Sequence, residues 1–240
     1  YSRGQIERSE DCLFLNLWTA AESRDDRLPV MVWFHGGGHR TGHGGSRVFN
    51  GAALAAKGIV LVSANYRLGA FGFMAHPALT AESEHGSSGN YGILDKIQAL
   101  EWVRENAENF GGDPDNVTIF GQSAGSASVC TLVASPLAAG LFHKAIGHSG
   151  SCLGDRMTLG GKSGDDGEGP SAHELGLNLA RALEIEGEGA DAVAALRSVE
   201  AETLLEATRG DARSPGIQID GWVVPRQMGE IFAAGDHNKM

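Results

Sequence analysis

Short apolar runs alternate with longer amphipathic stretches along the first two thirds of the chain. Val30-Met31-Val32-Trp33-Phe34 and Ile59-Val60-Leu61-Val62 are almost uninterrupted, the pattern of strands covered on both faces. Leu13 to Thr19 reads as a strand entering the same sheet. Between Gly92 and Asn109, Ile93, Ile97, Leu100 and Val103 recur at helical spacing with Leu94 alongside, and Gly111-Gly112 before Asp113-Pro114 supplies a stop. Val117–Phe120 predicts the next strand, Ala124 to Ala134 a helix, and Ala145–His148 one more short strand. Such alternation predicts an α/β fold, a mostly parallel central sheet with helices on both faces.

The pattern changes at Gly150. Residues 150–170 are rich in Gly, Asp, Ser and Lys and lack periodic apolar positions, so they read as an exposed loop. Helical spacing resumes at Ala172–Leu183, Ala190–Leu196 and Ala201–Ala207, and a last helix is expected at Met228–Ala234. Residues 1–240 are read as one partial domain, with the loop an excursion and 171–240 a helical segment.

Composition narrows the partners. A net charge of -11, from 19 basic and 30 acidic side chains, repels phosphate backbones and anionic lipid heads, which disfavours nucleic acid and membrane surfaces. No apolar run is long enough to span a bilayer. Cys12, Cys130 and Cys152 match neither a disulfide framework nor a Cys-x-x-Cys metal or redox site. The chain starts at Tyr1 without a signal-peptide pattern, so any leader would lie upstream, and both a cytoplasmic and a secreted location stay open. Oligomeric state is not legible.

The first chemical signal is Gly121-Gln122-Ser123-Ala124-Gly125, set between a predicted strand and a predicted helix. A Ser on such a tight turn is held clear of its own backbone, and the crowding around it selects Gly two positions before and two after. With 35 glycines in the chain, the motif alone is weak. A second element strengthens it. His35-Gly36-Gly37-Gly38 follows directly after the strand ending at Phe34, and a Gly run there lets backbone N–H groups turn towards a developing oxyanion. On its own that run is equally a flexible strand-end turn.

Several ordered blocks carry a family resemblance. Ser9-Glu10-Asp11-Cys12-Leu13-Phe14-Leu15-Asn16 and the stretch from Phe110-Gly111-Gly112-Asp113-Pro114 through Gly125 resemble the two signatures of the type-B carboxylesterase/lipase family, the cholinesterase-like branch of the α/β-hydrolases. Asn65–Gly69, Gly89–Asp95, Ala99–Val103, Ser149–Ser151 and Asp220–Pro225 resemble further blocks in the same order. The resemblance implies the α/β-hydrolase fold and hydrolysis of a small-molecule carboxylic ester, with no cofactor. It implies Ser123 as the catalytic nucleophile and an oxyanion hole made by the N–H groups of Gly37, Gly38 and Ala124. It also implies a buried ion pair between Glu10 and Arg67, and it places Cys12 where secreted relatives carry a disulfide to an upstream Cys; with no upstream Cys in these residues, a free thiol is expected at Cys12.

The family's triad acid and His match no position here, which implies a fragment truncated before the last strands of its sheet. Its isolated form is expected to be nearly inactive, with the strand near Ile146 left as an uncovered apolar edge. His148, beside the Ser123 strand, is the best internal substitute base, set against a merely supporting position; His237 is expected in solvent. His35, His39 and His43 share a spacing of four, but the glycines between them argue against a helical metal site, and no metal is expected. Gly161-Lys162-Ser163 resembles the end of a phosphate-binding loop, yet Arg156 stands where its first Gly belongs, so nucleotide binding is rejected. The competing reading is a non-catalytic binding or adhesion module of the same fold.

Overall fold

The computed structural model describes residues 8–161, 169–208 and 216–240. Five strands form one sheet in the order β1-β3-β2-β4-β5. They are β1 (Leu15–Trp18), β2 (Leu28–Phe34), β3 (Val60–Ala64), β4 (Gly112–Gln122) and β5 (Lys144–His148). β2 runs parallel to β3 and β4, β4 runs parallel to β5, and β1 is antiparallel to β3 at the edge. Nine helices accompany these strands among the described residues: α1 (Ala52–Ala55), α2 (Gly69–Phe73), α3 (Pro77–Glu82), α4 (Tyr91–Asn106), α5 (Ala124–Ala134), α6 (Ala172–Ala182), α7 (Ala190–Arg197), α8 (Ala201–Ala207) and α9 (Met228–Ala234).

The expected alternation places most of these elements within a residue or two. α4 buries Ile93, Ile97, Leu100 and Val103, the positions its spacing selects, and a short 3-10 turn then ends at Gly111 with φ 74°. β4 is longer than Val117–Phe120. It starts at Gly112, and its register against β2 shifts between Pro29 and Val30, where the Asp113–Asn116 stretch adds residues.

The two faces of the sheet differ. Val30, Val32, Phe34, Val60, Val62, Val117 and Ile119 meet the apolar sides of α4 and α5 in the main core. On the other face, Trp33 packs between Phe49 and Phe120, and Leu61 lies under Gly51 at the start of α1. There Met31, Trp33 and Phe120 are only half-buried. The apolar run in β2 was expected to be covered equally on both faces; short turns cover one of them incompletely. β5 departs further. Among the described residues it pairs with β4 alone, and Ile146 is 40% exposed, an open apolar edge as expected for the strand near Ile146.

Residues 150–161 carry no helix or strand beyond an isolated bridge from Thr158 to Ile219, which agrees with the loop expected there. Lys162 and Ser163 of the rejected phosphate-loop match lie outside the described residues. The segment 217–224 returns to the core: Asn90 exchanges hydrogen bonds with Gln218, and Ser87 donates to Asp220. Asp220 also accepts from the Trp222 and Val224 N–H groups, which explains the Asp-Gly-Trp-Val-Val-Pro turn.

Three expectations are corrected. Cys130 and Cys152 form a disulfide, because the turn after β5 doubles back along α5 and brings their Cα atoms to 5.2 Å. Cys12 alone keeps a free thiol, as anticipated. Arg67 does not pair with Glu10, which is exposed at the edge of the sheet; its backbone N–H, Nε and Nη2 bind Asp95 on α4, at 2.7 to 3.1 Å. That pairing raises the guanidinium further above its ordinary value. His237 is half-buried beside Phe232 with its Nδ1 out of solvent, because the turn after α9 folds back and Asn238 binds the end of α5.

Candidate active site

Ser123 occupies a turn one residue long, after the last residue of β4 and before the first of α5. Its backbone is left-handed, φ 56° and ψ −120°, a conformation that costs a non-glycine residue roughly 1–3 kcal/mol. The surroundings hold it there. The Ser123 N–H donates to the His148 carbonyl at 2.8 Å, and the Ser123 carbonyl accepts from Ala127 N–H at 3.0 Å, as the first bond of α5. The flanking glycines are required by space. A Cβ on Gly125 would lie 2.0 Å from the Phe34 carbonyl oxygen, and one on Gly121 would lie 2.5 Å from the Gly125 backbone. β2, β4 and α5 thus approach too closely for any side chain at either position.

The loop after β2 lies against this turn. A Cβ on Gly36 would stand 2.7 Å from the Gln122 carbonyl oxygen and 3.2 Å from the Ser123 Cβ. Peptide planarity then sets the direction of the N–H groups, because the C=O and N–H of one trans peptide point opposite ways. The Gly36 carbonyl faces the His35 Nδ1 at 2.7 Å, so the Gly37 N–H points away from His35. The Gly37 carbonyl accepts from the Arg40 and Thr41 N–H groups at 3.1 Å, so the Gly38 N–H points away from those residues. The Ser123 carbonyl points into α5, so the Ala124 N–H points out of the helix, where the positive end of its dipole lies. Gly37 and Gly38 have φ values of 114° and 64°, and the space beside the Gly38 Cα is open.

Two buried histidines brace the loop. His39 Nε2 lies 3.0 Å from Ser128 Oγ, whose hydroxyl donates to the Ala124 carbonyl, so the loop is tied to the first turn of α5. Desolvation pulls His39 down to about 3 and His35 to about 4, with the positive charge of Lys96 contributing to both. Both rings are therefore neutral near pH 7. The His35 hydrogen bond to the Gly36 carbonyl requires the proton on Nδ1, and its Nε2 is buried without a partner. His43 shares no ligand cluster with these two, and no group of residues able to hold a metal occurs among the described residues.

His148 stands where the sequence placed it, at the end of β5, but it meets the turn through its backbone carbonyl, and its side chain is exposed. Among the described residues, no side chain hydrogen-bonds the Ser123 hydroxyl. Arg156 adds an inward charge that the sequence reading missed as a site feature. It is half-buried, desolvation lowers its guanidinium, and its field helps hold His39 neutral. A cavity of about 350 Å³ lies elsewhere, lined by Arg67, Tyr91, Arg197 and Trp222 among others, and contains neither the Ser123 turn nor the Gly36–Gly38 loop.

Residues 2–238 match the model of the carboxylesterase family. The chain is 39% identical to a fumonisin B1 esterase of Sphingopyxis macrogoltabida over 97% of its length, and 41% identical to carboxylesterase 1E of Rattus norvegicus over the same share. It covers 41% of each of those proteins. Among solved structures, a carboxylesterase of Geobacillus stearothermophilus superposes with a TM-score of 0.81 at 37% identity, over 98% of this chain and 47% of that one. The chain thus spans less than half the length of the relatives it matches.

Proposed function

Because this chain belongs to the carboxylesterase family, we propose that it forms the nucleophile-bearing part of an enzyme that hydrolyses small-molecule carboxylic esters through Ser123. The observation that carries this reading is the strained backbone of Ser123, held beside a loop whose N–H groups are turned outward. Strain of this kind persists only where neighbouring structure over-determines it, and it clusters at reactive sites.

In this reading Ser123 Oγ attacks the acyl carbon, and the carbonyl π electrons move to oxygen. The N–H groups of Gly37, Gly38 and Ala124 form the oxyanion hole, a contribution of about 3 kcal/mol for each donor in related chemistry. Collapse expels the alcohol and leaves an acyl-serine, which water attacks in a second, equivalent addition. The hydroxyl proton must pass to a base and then to the leaving alkoxide. None of the described residues binds the Ser123 hydroxyl, and the chain covers 41% of the relatives it matches, so in this reading the base and its orienting acid belong to the share of such proteins that it does not cover. The neutral His35 and His39 are not the base, since both face the underside of the loop and have lost their affinity for protons.

The test is labelling of the full-length protein with a fluorescent organophosphonate, alongside turnover of p-nitrophenyl butyrate. Ser123→Ala should abolish both. Retention of either at the wild-type rate would remove Ser123 from the mechanism.

A further inference from the structure

Lys96 lies in the middle of α4, on the face turned to the core, and no part of it reaches solvent. Its Nζ donates to the Gly92 carbonyl one turn back, at 2.8 Å, and sits 3.1 Å from the centre of the Tyr66 ring. The His35 imidazole stacks on the same phenol at 4.4 Å with the planes 17° apart. At those distances the amine and the imidazole cannot share one face without overlap, so the Tyr66 ring lies between them. The Tyr66 hydroxyl then donates to the His35 carbonyl at 2.7 Å. A continuous column runs from Lys96 through Tyr66 to His35, and the next residue, Gly36, touches the Ser123 turn.

A lysine in this place is costly. Among the described residues no carboxylate is in contact with its Nζ: the neighbouring Asp95 is occupied by Arg67. The other titratable groups facing it are His35 and His39 from the loop after β2 and Tyr66 after β3. Lys96 and Arg156 both bear on His39. Burial holds the amine well below its ordinary value and Asp95 compensates only in part. A methionine of similar length would fill the same space without that desolvation cost. What methionine lacks is a donor that fixes the end of the side chain against both the Gly92 carbonyl and the Tyr66 ring.

We propose that Lys96 is a positioning residue for the Ser123 site, pinning the Tyr66 ring that clamps His35 and so setting the approach of the Gly36–Gly38 loop to Ser123. The role rests on the esterase reading above and acts on the transition state, because the loop supplies the oxyanion donors and not the groups that first bind substrate.

The test uses full-length protein and p-nitrophenyl butyrate, with Lys96→Met and Lys96→Gln beside Ser123→Ala. Glutamine is too short to reach the Tyr66 ring. Both Lys96 variants should lose about ten-fold or more in kcat with KM within about two-fold, the signature of misplaced donors. A second readout separates this from general damage. Burial weakens the folded amine's hold on its proton relative to the unfolded chain, so wild-type stability should rise with pH over the range below the ordinary lysine value. Lys96→Met should remove that slope and raise the urea midpoint at pH 7 while kcat falls. If kcat stays within two-fold of wild type in either soluble variant, the inference fails. It fails too if neither variant folds, since Lys96 is then simply structural. A Ser123→Ala protein that still turns over would refute the esterase reading itself, whatever the Lys96 variants do.

Discussion

The Cys130–Cys152 bond invites the most direct physical test, because its size follows from where it sits. It closes a loop of 22 residues that contains β5 and the turn passing behind Ser123. On the chain-entropy view, restricting a loop of that length in the unfolded chain is worth about 3 kcal/mol. For a protein of this size that corresponds to a fall of roughly 6–12 °C in Tm on removal. The local consequence should be sharper than the global one. Gly150, two residues before Cys152, runs so close to the turn that a Cβ there would lie 2.8 Å from the Ser123 carbonyl oxygen. Opening the bond frees that segment, which among the described residues is held to the sheet only through β5 and its pairing with β4. The assay is a urea titration of wild type and Cys130→Ser/Cys152→Ser, with and without dithiothreitol, together with mass mapping of the linked peptides. Reductant should lower the wild-type midpoint to that of the double variant and leave the variant unmoved. A peptide map with both thiols free, or a reductant-insensitive midpoint, would refute the reasoning.

Two further outcomes follow from the site. Gly125→Ala must displace either the end of β2 or the start of α5, since its Cβ would overlap the Phe34 carbonyl; it should cost about 3 kcal/mol in urea unfolding and slow organophosphonate labelling about a hundred-fold, whereas Gly229→Ala in α9, with open space around it and no positive φ, should leave labelling unchanged. The buried neutral histidines set the acid limit of stability. Their folded values of about 4 and 3 lie below the ordinary 6.5, so their contribution is complete above pH 6.5 and is lost as pH falls towards the folded values, by roughly 3–5 kcal/mol each. His39→Gln, which keeps a donor for Ser128, should flatten the fall of the urea midpoint between pH 6.5 and 4; an unchanged slope would show that His39 is not the group responsible.

Much of this protein is legible in its one-dimensional pattern, for a definite reason. Strand and helix periodicity are local properties, so Ile93, Ile97, Leu100 and Val103 announce the buried face of α4, and the apolar runs announce β2 and β3. The Ser123 motif is legible because Gly121 and Gly125 are demanded by close approach of backbones, and that demand leaves a mark on residue identity. The short helices α1, α2 and α3 left no such mark, being too brief to show a period.

Pairing across the fold is what sequence reading could not supply. Arg67 binds Asp95 and not Glu10 because the turn after β3 meets α4, a contact across 28 residues that no spacing encodes. Three cysteines alone do not say that two will meet; the reversal of the chain after β5 decides it. Lys96 looks like a solvated helix position until α4 docks with that face inward, and His35 looks like a strand-end residue until Tyr66 stacks beneath it. Residue identity and local periodicity determined the elements and the position of the Ser123 turn. Tertiary packing decided which charges are buried, which are paired, and what holds the loop against Ser123, because those energies depend on distance and dielectric, which exist only once the chain has folded.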